Sequence, residues 1–309
     1  MEDLHPLRCL VAALDVGSLT GAAKTLGISQ PALSQKIKAL EALYGQKLLT
    51  RTRSGVEATL AGQVAYGFGQ RIGQELDELR VELDSLQGVI SGHIRITAGQ
   101  SLSQTYLGEV VIALKSKYRD LEVELVVSDK LLDIEKEKID FAIRFGSPGW
   151  GGGVARKIGD VQSVLAATPA YLNARGRPTS PDEIEQLDFI QYKDDTEKAV
   201  VGVTYRGQKL TVPVTPSLTA EDPNLIAHAL EKGLGFTKAP LFFVQERIDR
   251  GLFEEVLPGC RPIPKPFFLI QREQVRNTAR AKLFQKTLFE TLSKAPGITI
   301  LPDLLSRDQ

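Results

Sequence analysis

"AAKTLGISQPALSQKIKALE", residues 22–41, decides the fold of the first part of the chain. Two helix-like runs meet at Gly27 and a Ser29-Gln30-Pro31 step. Ala22, Ala23 and Leu26 recur at helical spacing, and alanines let two helices approach closely. Gly27 suits the left-handed position after a helix, and Ser29 suits the cap before the next. Pro31 fits the first turn, where a missing N–H is no loss. From there to about Leu43, Leu33, Ile37 and Leu40 form one apolar face. Gln30, Ser34, Gln35 and Lys38 fall on the opposite face. Two helices joined by a tight glycine turn make a helix-turn-helix. The polar face of its second helix suits base edges and phosphates in a major groove. A plain solvated face on a three-helix unit is the competing reading of the same residues.

The flanks weigh toward the first reading. Upstream, Leu7, Leu10, Val11 and Leu14 give a first helix, ended by Gly17 and followed by the cap residue Ser18. Downstream, "LLTRTRSGVEAT" (48–59) reads as a hairpin around Arg53-Ser54-Gly55. A hairpin there is a wing, and it brings Arg51 and Arg53 within reach of a sugar-phosphate backbone. Between Pro31 and Val56 five bases (Lys36, Lys38, Lys47, Arg51 and Arg53) face one acid, Glu41. The whole chain has 38 Lys plus Arg and 38 Asp plus Glu, so that basic footprint is local.

Thr59 caps a further helix, "LAGQVAYGFGQRIGQELDELRVELDSLQG" (60–88). Ala61, Ala65, Phe68, Ile72, Leu76, Leu79, Leu83 and Leu86 alternate by three and four, as a coiled-coil seam does. A second copy of the helix is the simplest partner, and packing on its own domain is the other. Gly88 and Gly92 flank a break, after which short apolar runs alternate with helical segments. Strands are expected at "HIRITA", "LEVELVVS", "IDFAIRFG", "FIQY", "LGFTKAP" and "KPFFLIQ". Helices are expected over 105–118, 130–138, "PNLIAHALEKG" and 277–294, and a hairpin at "VGVTYRGQKLTVPV". Strand–helix alternation argues for a parallel sheet covered by helices, with ligands at the carboxyl ends of its strands.

At 309 residues, two or three compact units fit the length. Cys9 and Cys260 are too few and too far apart for a disulfide framework or a cysteine metal cluster, and they fit a reducing compartment. The N-terminus lacks a signal-peptide pattern, and no run of about 18 apolar residues could span a membrane. A cytoplasmic protein without membrane association is expected. His5, His93 and His228 show no metal-ligand spacing. Cys260, beside Pro258 and Gly259, reads as a loop thiol.

"LDVGSLTGAAKTLGISQPALSQKIKALEALYGQKLLTRTRSGVEATLAG" (14–62) resembles the N-terminal signature of LysR-type transcriptional regulators. The Ser-Gln-Pro step, Leu40-Glu41, the Gly45 turn and the Arg-bearing wing carry the likeness. "GHIRITAG", "DFAIRFG", "TPAYL" and "ALEKGLGF" fall where that family's effector domain has similar segments. The resemblance implies an all-α winged helix-turn-helix N-terminal domain over 1–59 and a long linker and dimerisation helix over 60–89. It implies an α/β two-lobed C-terminal domain, like a periplasmic binding protein, over 90–309. Lobe I would be 90–161 with 268–309, and lobe II 162–267. It further implies a homodimer or homotetramer on an interrupted dyad in promoter DNA, with RNA polymerase as a further partner. A small-molecule effector, with no cofactor or metal, completes the picture.

Position by position, the resemblance places Thr20, Ser29, Gln30, Pro31, Ser34, Gln35, Lys38, Arg51 and Arg53 at DNA. It places Gln100, Ser101, Ser128, Arg144, Phe145, Thr219, Phe236 and Lys238 in the effector cleft. Arg144 reads as a carboxylate clamp or as an internal partner of Asp140 or Glu221. Ser101 reads as an anion contact at a helix start or as a simple cap. Lys238 stands where relatives are usually apolar, and with Arg144 facing inward it favours an anionic effector. The Gly-rich "GSPGWGGGVARKIG" (146–159) is a second departure, placing Trp150 over the cleft or against a neighbouring subunit. An α/β enzyme with an N-terminal interaction module is the first rival, against which no nucleophile elbow, phosphate loop or clustered metal ligands occur. An architectural DNA binder, the second rival, would be strongly basic overall.

Overall fold

The structure, a computed structural model, describes residues 4–52, 55–86, 89–149, 151–193 and 200–305. The chain forms two compact units, Met1–Val89 and Ile90–Gln309.

The first unit runs α1 (Leu4–Val16), α2 (Leu19–Thr25), α3 (Gln30–Tyr44), β1 (Leu49–Thr52), β2 (Gly55–Ala58) and α4 (Leu60–Leu86). Ser18 and Ser29 cap α2 and α3, their hydroxyls accepting from Gly21 N and Ala32 N at 3.3 Å. Gly27 takes the left-handed φ of 66° that the turn between them requires. Leu10, Ala13, Ala22, Ala23, Leu33, Ile37 and Leu40 interlock as one buried core. The strands pair antiparallel as a wing. Val56 N donates to Gly17 O at 3.0 Å and ties that wing to the turn between α1 and α2.

Helix α4 keeps its apolar residues on one seam, as the spacing suggested, and the two halves of that seam differ in what covers them. Ala61 and Ala65 pack on the unit's own core. Gly62 and Gly69 lie on the same side, where a Cβ would meet Leu48 O at 2.0 Å and the Val11 side chain at 2.5 Å. Further along the same seam Phe68, Leu76, Leu79, Leu83 and Leu86 are exposed, as are Leu60 and Val64 at the helix start. The small residues serve close helix packing in the first turns, and the large ones follow where the seam runs past the unit's own core.

In the second unit the first sheet has the order β16-β6-β15-β5-β3-β4. Its strands are β3 (Gly92–Ala98), β4 (Leu121–Val127), β5 (Phe141–Phe145), β6 (Val154–Val161), β15 (Lys265–Gln271) and β16 (Ile298–Ile300). β3 runs parallel to β4 and β5, while β15 and β16 pair antiparallel. The second sheet has the order β11-β8-β12-β7-β13. Its strands are β7 (Ser163–Ala167), β8 (Asp188–Tyr192), β11 (Thr215–Ala220), β12 (Phe236–Pro240) and β13 (Glu254–Glu255). A small sheet, β10-β9-β14, joins β9 (Val200–Tyr205), β10 (Gln208–Pro213) and β14 (Arg261–Pro262).

The helices are α5 (Gln100–Leu102), α6 (Gly108–Lys117), α7 (Pro169–Arg175), α8 (Pro223–Glu231), α9 (Leu241–Asp249), α10 (Ala279–Leu292) and α11 (Pro302–Leu305). A π-helical turn, Ser103–Leu107, joins α5 to α6. The chain leaves the first sheet after Val161 and rejoins it at Lys265, so the two crossovers lie side by side. The first sheet and α10 enclose a core around Phe141, Phe267 and Phe284. The second is packed on both faces, around Phe236 on one and Ile190 on the other.

Two expectations change here. Residues 130–138 form turns instead of a helix. Asp133 Oδ1 accepts from Glu135 N (3.1 Å) and Lys136 N (3.0 Å), and Lys138 adopts a φ of 52° that ends any helix. The Gly-rich loop is shorter than 146–159, because β6 begins at Val154. Trp150 lies outside the described residues.

Candidate nucleic-acid interface and ligand cleft

On α3 the face opposite Leu33, Ile37 and Leu40 carries Pro31, Gln35 and Lys38 exposed, with Gln30 and Ser34 half-buried. Thr20 is exposed on α2, and Arg51 on β1. Ser29 is committed through its hydroxyl to the cap. Arg53 lies outside the described residues. The lone acid of this basic stretch is buried. Glu41 Oε1 accepts from Leu48 N (2.9 Å) and Leu49 N (3.3 Å), and Oε2 from Lys47 Nζ (3.0 Å). Burial alone would push its carboxyl up. The hydrogen bonds from Leu48, Lys47 and Leu49 outweigh burial and hold it below the usual carboxylate range. Glu41 therefore removes little from the positive face and fixes the start of the wing to the end of α3.

In the second unit a cavity of about 610 Å³ lies at the carboxyl ends of β3, β4, β5, β8, β11 and β12. Gln100, Ser101, Ser128, Arg144, Phe145 and Lys238 all line it. Arg144 is buried at 7% exposure. Its Nη2 donates to Thr97 Oγ1 and Lys130 O, and its Nη1 to Ile143 O, each at 3.2 Å. Burial pushes its pKa down, and the nearby Asp129 carboxylate opposes that shift. Asp140 is bound to Arg272 and so is not the internal partner of Arg144, whose guanidinium props the loop after β4 while the residue lines the cavity.

Asp129 and Asp222 clasp the start of α5. Gln100 N donates to Asp129 Oδ2 at 3.3 Å, and Gln100 Nε2 donates to Asp222 Oδ1 at 3.1 Å. Asp222 Oδ1 also accepts from Asn224 N at 2.9 Å and caps α8, so this link crosses the cleft. At the start of α5, a Cβ on Gly99 would stand 2.3 Å from Asp129 Oδ1.

Thr219 and Phe236 are not at the cavity. Phe236 opens β12, at the end of the strand away from the cleft, and is fully buried against Phe189. Thr219 lies on the edge strand β11 and faces solvent, while its neighbours Leu218 and Ala220 pack inward. Unforeseen lining residues are Asp129, Lys130, Tyr192, Lys193, Asp222 and Lys265. Each sits at or just beyond the end of a strand that the sequence does mark, which is the one signal that could have found them. Among the described residues no group of His, Cys, Asp and Glu could hold a metal, and no helix is long and apolar enough to cross a membrane.

A winged helix-turn-helix joined to a two-lobed domain with a ligand-sized cleft defines a ligand-responsive DNA-binding protein. Comparison with known proteins gives the class its family. Residues 4–63 match the bacterial regulatory helix-turn-helix protein, lysR family, and residues 87–293 the LysR substrate binding domain. The transcriptional regulator PtxR of Pseudomonas aeruginosa is 30% identical over 95% of this chain and 94% of its own. The full-length virulence activator AphB of Vibrio cholerae shares the fold at 24% identity and a TM-score of 0.57, over 93% of this chain and 98% of its own. LysG from Corynebacterium glutamicum, solved with its bound effector Arg, shares it at 19% identity and a TM-score of 0.57, over 93% and 97%. The chain belongs to the LysR family of transcriptional regulators, with a DNA-binding domain and an effector-binding domain.

Proposed function

We propose that this regulator binds an interrupted dyad in duplex DNA as a homodimer or homotetramer. Residues 1–59 serve as the DNA-binding domain, 60–89 as the dimerising linker and 90–309 as the effector domain. Thr20, Gln30, Pro31, Ser34, Gln35, Lys38 and Arg51 meet the DNA, with Gln30 reading base edges and Lys38 a phosphate. A small anionic effector enters the cleft lined by Arg144 and Lys238 and modulates promoter binding. The protein works in the cytoplasm and is not an enzyme. One observation carries the reading: α3 presents Gln35 and Lys38 to solvent while its other face is locked in the core.

Footprinting on the DNA upstream of its own gene tests this. Two dyad-related protected patches are the expected result, and uniform coating or no protection counts against it. Lys38→Ala should weaken binding to all sequences and lower the salt slope by about one. Gln30→Ala should relax base preference instead. Identical behaviour of the two variants would reverse the assigned orientation of α3.

A further inference from the structure

Two crossovers join the lobes of the second unit, Gln162 in the first and residues 263–264 in the second. Two short connections act as a hinge when nothing else spans them. Here Gln162 is bound on every side. Its N donates to Gly297 O at 2.7 Å, just before β16 of the first sheet. Its O accepts from Leu241 N at 2.9 Å, at the start of α9 in the lobe built on the second sheet. Its side-chain Nε2 donates to Ser163 O at 2.7 Å and to Pro262 O at 2.8 Å. One amide thus holds the points where the chain enters and leaves the second lobe. Gly297 permits this close approach, because a Cβ there would stand 2.8 Å from Leu241 Cβ and 3.2 Å from Gln162 O.

Helix α9 carries Val244 into the core of the second lobe. Its Phe242 points the other way and belongs to the core of the first sheet, at 5% exposure. The Phe242 ring centre lies 6.2 Å from that of Tyr106, edge to face, and 5.8 Å from that of Phe145. Phe243 packs against both cores and lines the cavity beside Val161, Ser163 and Pro240. The wall of the cleft at the crossovers is therefore the joint itself. Turning one lobe against the other would draw Phe242 out of a close-packed core and part the Gln162 bonds. Cores packed to that density switch between discrete arrangements and do not deform continuously.

We propose that Gln162 and Phe242 are positioning residues that fasten the two lobes into one body, so that the fold sets the width of the cleft before any ligand arrives. A ligand then meets a preformed cavity of about 610 Å³ and is selected by its fit to that space. The inference concerns the joint and holds for a ligand of any charge.

Pulsed electron–electron resonance on the full-length protein reads the spacing of the lobes. Spin labels go on Ser116→Cys of α6 and Ala174→Cys of α7, both exposed and one on each lobe. Cys9 and Cys260 are buried, so the labels take the introduced thiols, and excess unlabelled protein removes distances between copies. Without ligand or DNA the labelled protein should give one narrow distance. Gln162→Ala and Phe242→Ala should each widen that distribution at least about twofold. Phe284→Leu, in the same core but packed on Phe141, is the control. It should lower the unfolding midpoint and leave the width unchanged. The proposal falls if the intact joint already gives a broad distribution, if either variant keeps the narrow one, or if the control widens it as much. Should Phe242→Ala not fold, Gln162→Ala decides alone, because it removes only the side-chain bonds of a half-buried residue. Promoter footprinting reads none of these distances, so the regulator reading stands or fails separately.

Discussion

At the scale of single residues, Glu41 explains how a basic face tolerates an acid. Its carboxylate is 9% exposed and bound by two backbone N–H groups of the wing. Its third partner, Lys47, has a side chain 79% exposed, so that ion pair adds little. The backbone bonds dominate, because Leu48 N would otherwise be a buried donor without an acceptor. Glu41→Ala should destabilise the first unit by about 1–3 kcal/mol in chemical denaturation, and Lys47→Ala by at most about 1 kcal/mol. The pH sign follows from a folded pKa held below the unfolded value of about 4.3. The stabilisation is complete above that value and is lost as pH falls through the lowered folded pKa. Glu41→Gln should therefore flatten the acid limb of the stability profile, and an unchanged limb would remove this role from Glu41. The sequence offers Glu41 only as an odd acid among bases, since its partners lie six to eight residues on and meet it after the chain has turned.

At the scale of elements, α4 shows what spacing can and cannot reveal. Alternation by three and four marks one apolar seam, but not where along it the covering ends: Ala61 and Ala65 meet the unit's own core, while Leu76, Leu79 and Leu83 are exposed. Only the placement of α1 against Gly69, and of Leu48 O against Gly62, shows which turns of the helix are covered. The open stretch of the seam from Leu76 to Leu86 runs about 15 Å at 1.5 Å per residue and suits a second copy of itself. Leu83 is 53% exposed, so Leu83→Asp should shift sedimentation toward a smaller species while leaving the unfolding midpoint of the first unit unchanged. A drop in that midpoint with no change in size would place Leu83 in intramolecular packing instead. Spacing also fails at residues 130–138, where buried Ile134 anchors a string of turns. Phe236 is a third case. A strand was readable there, but which end of β12 meets the cleft depends on its neighbours in the sheet.

At the scale of the whole molecule, each unit has its own core, the first around Leu10, Leu33 and Leu40 and the second around Phe141, Phe236 and Phe284. The resemblance implies two crossovers, with the return at 268, whereas the chain rejoins the first sheet at Lys265, because β15 pairs with β6 from that residue on. Separate cores have a thermodynamic consequence. A ligand that binds one folded unit stabilises that unit alone, by about 2.7 kcal/mol at a hundred times its dissociation constant. For a domain of 150–250 residues, each kcal/mol moves the midpoint by roughly 2–4 °C, so an acid in the cleft should raise the transition of Ile90–Gln309 by roughly 5–10 °C. Operator DNA should raise the transition of Met1–Val89 and leave the other in place. Scanning calorimetry of the full chain with acid alone, DNA alone and both resolves the two effects. If either ligand alone moves both transitions by the same amount, the units unfold as one cooperative body and the effector signal passes through shared stability.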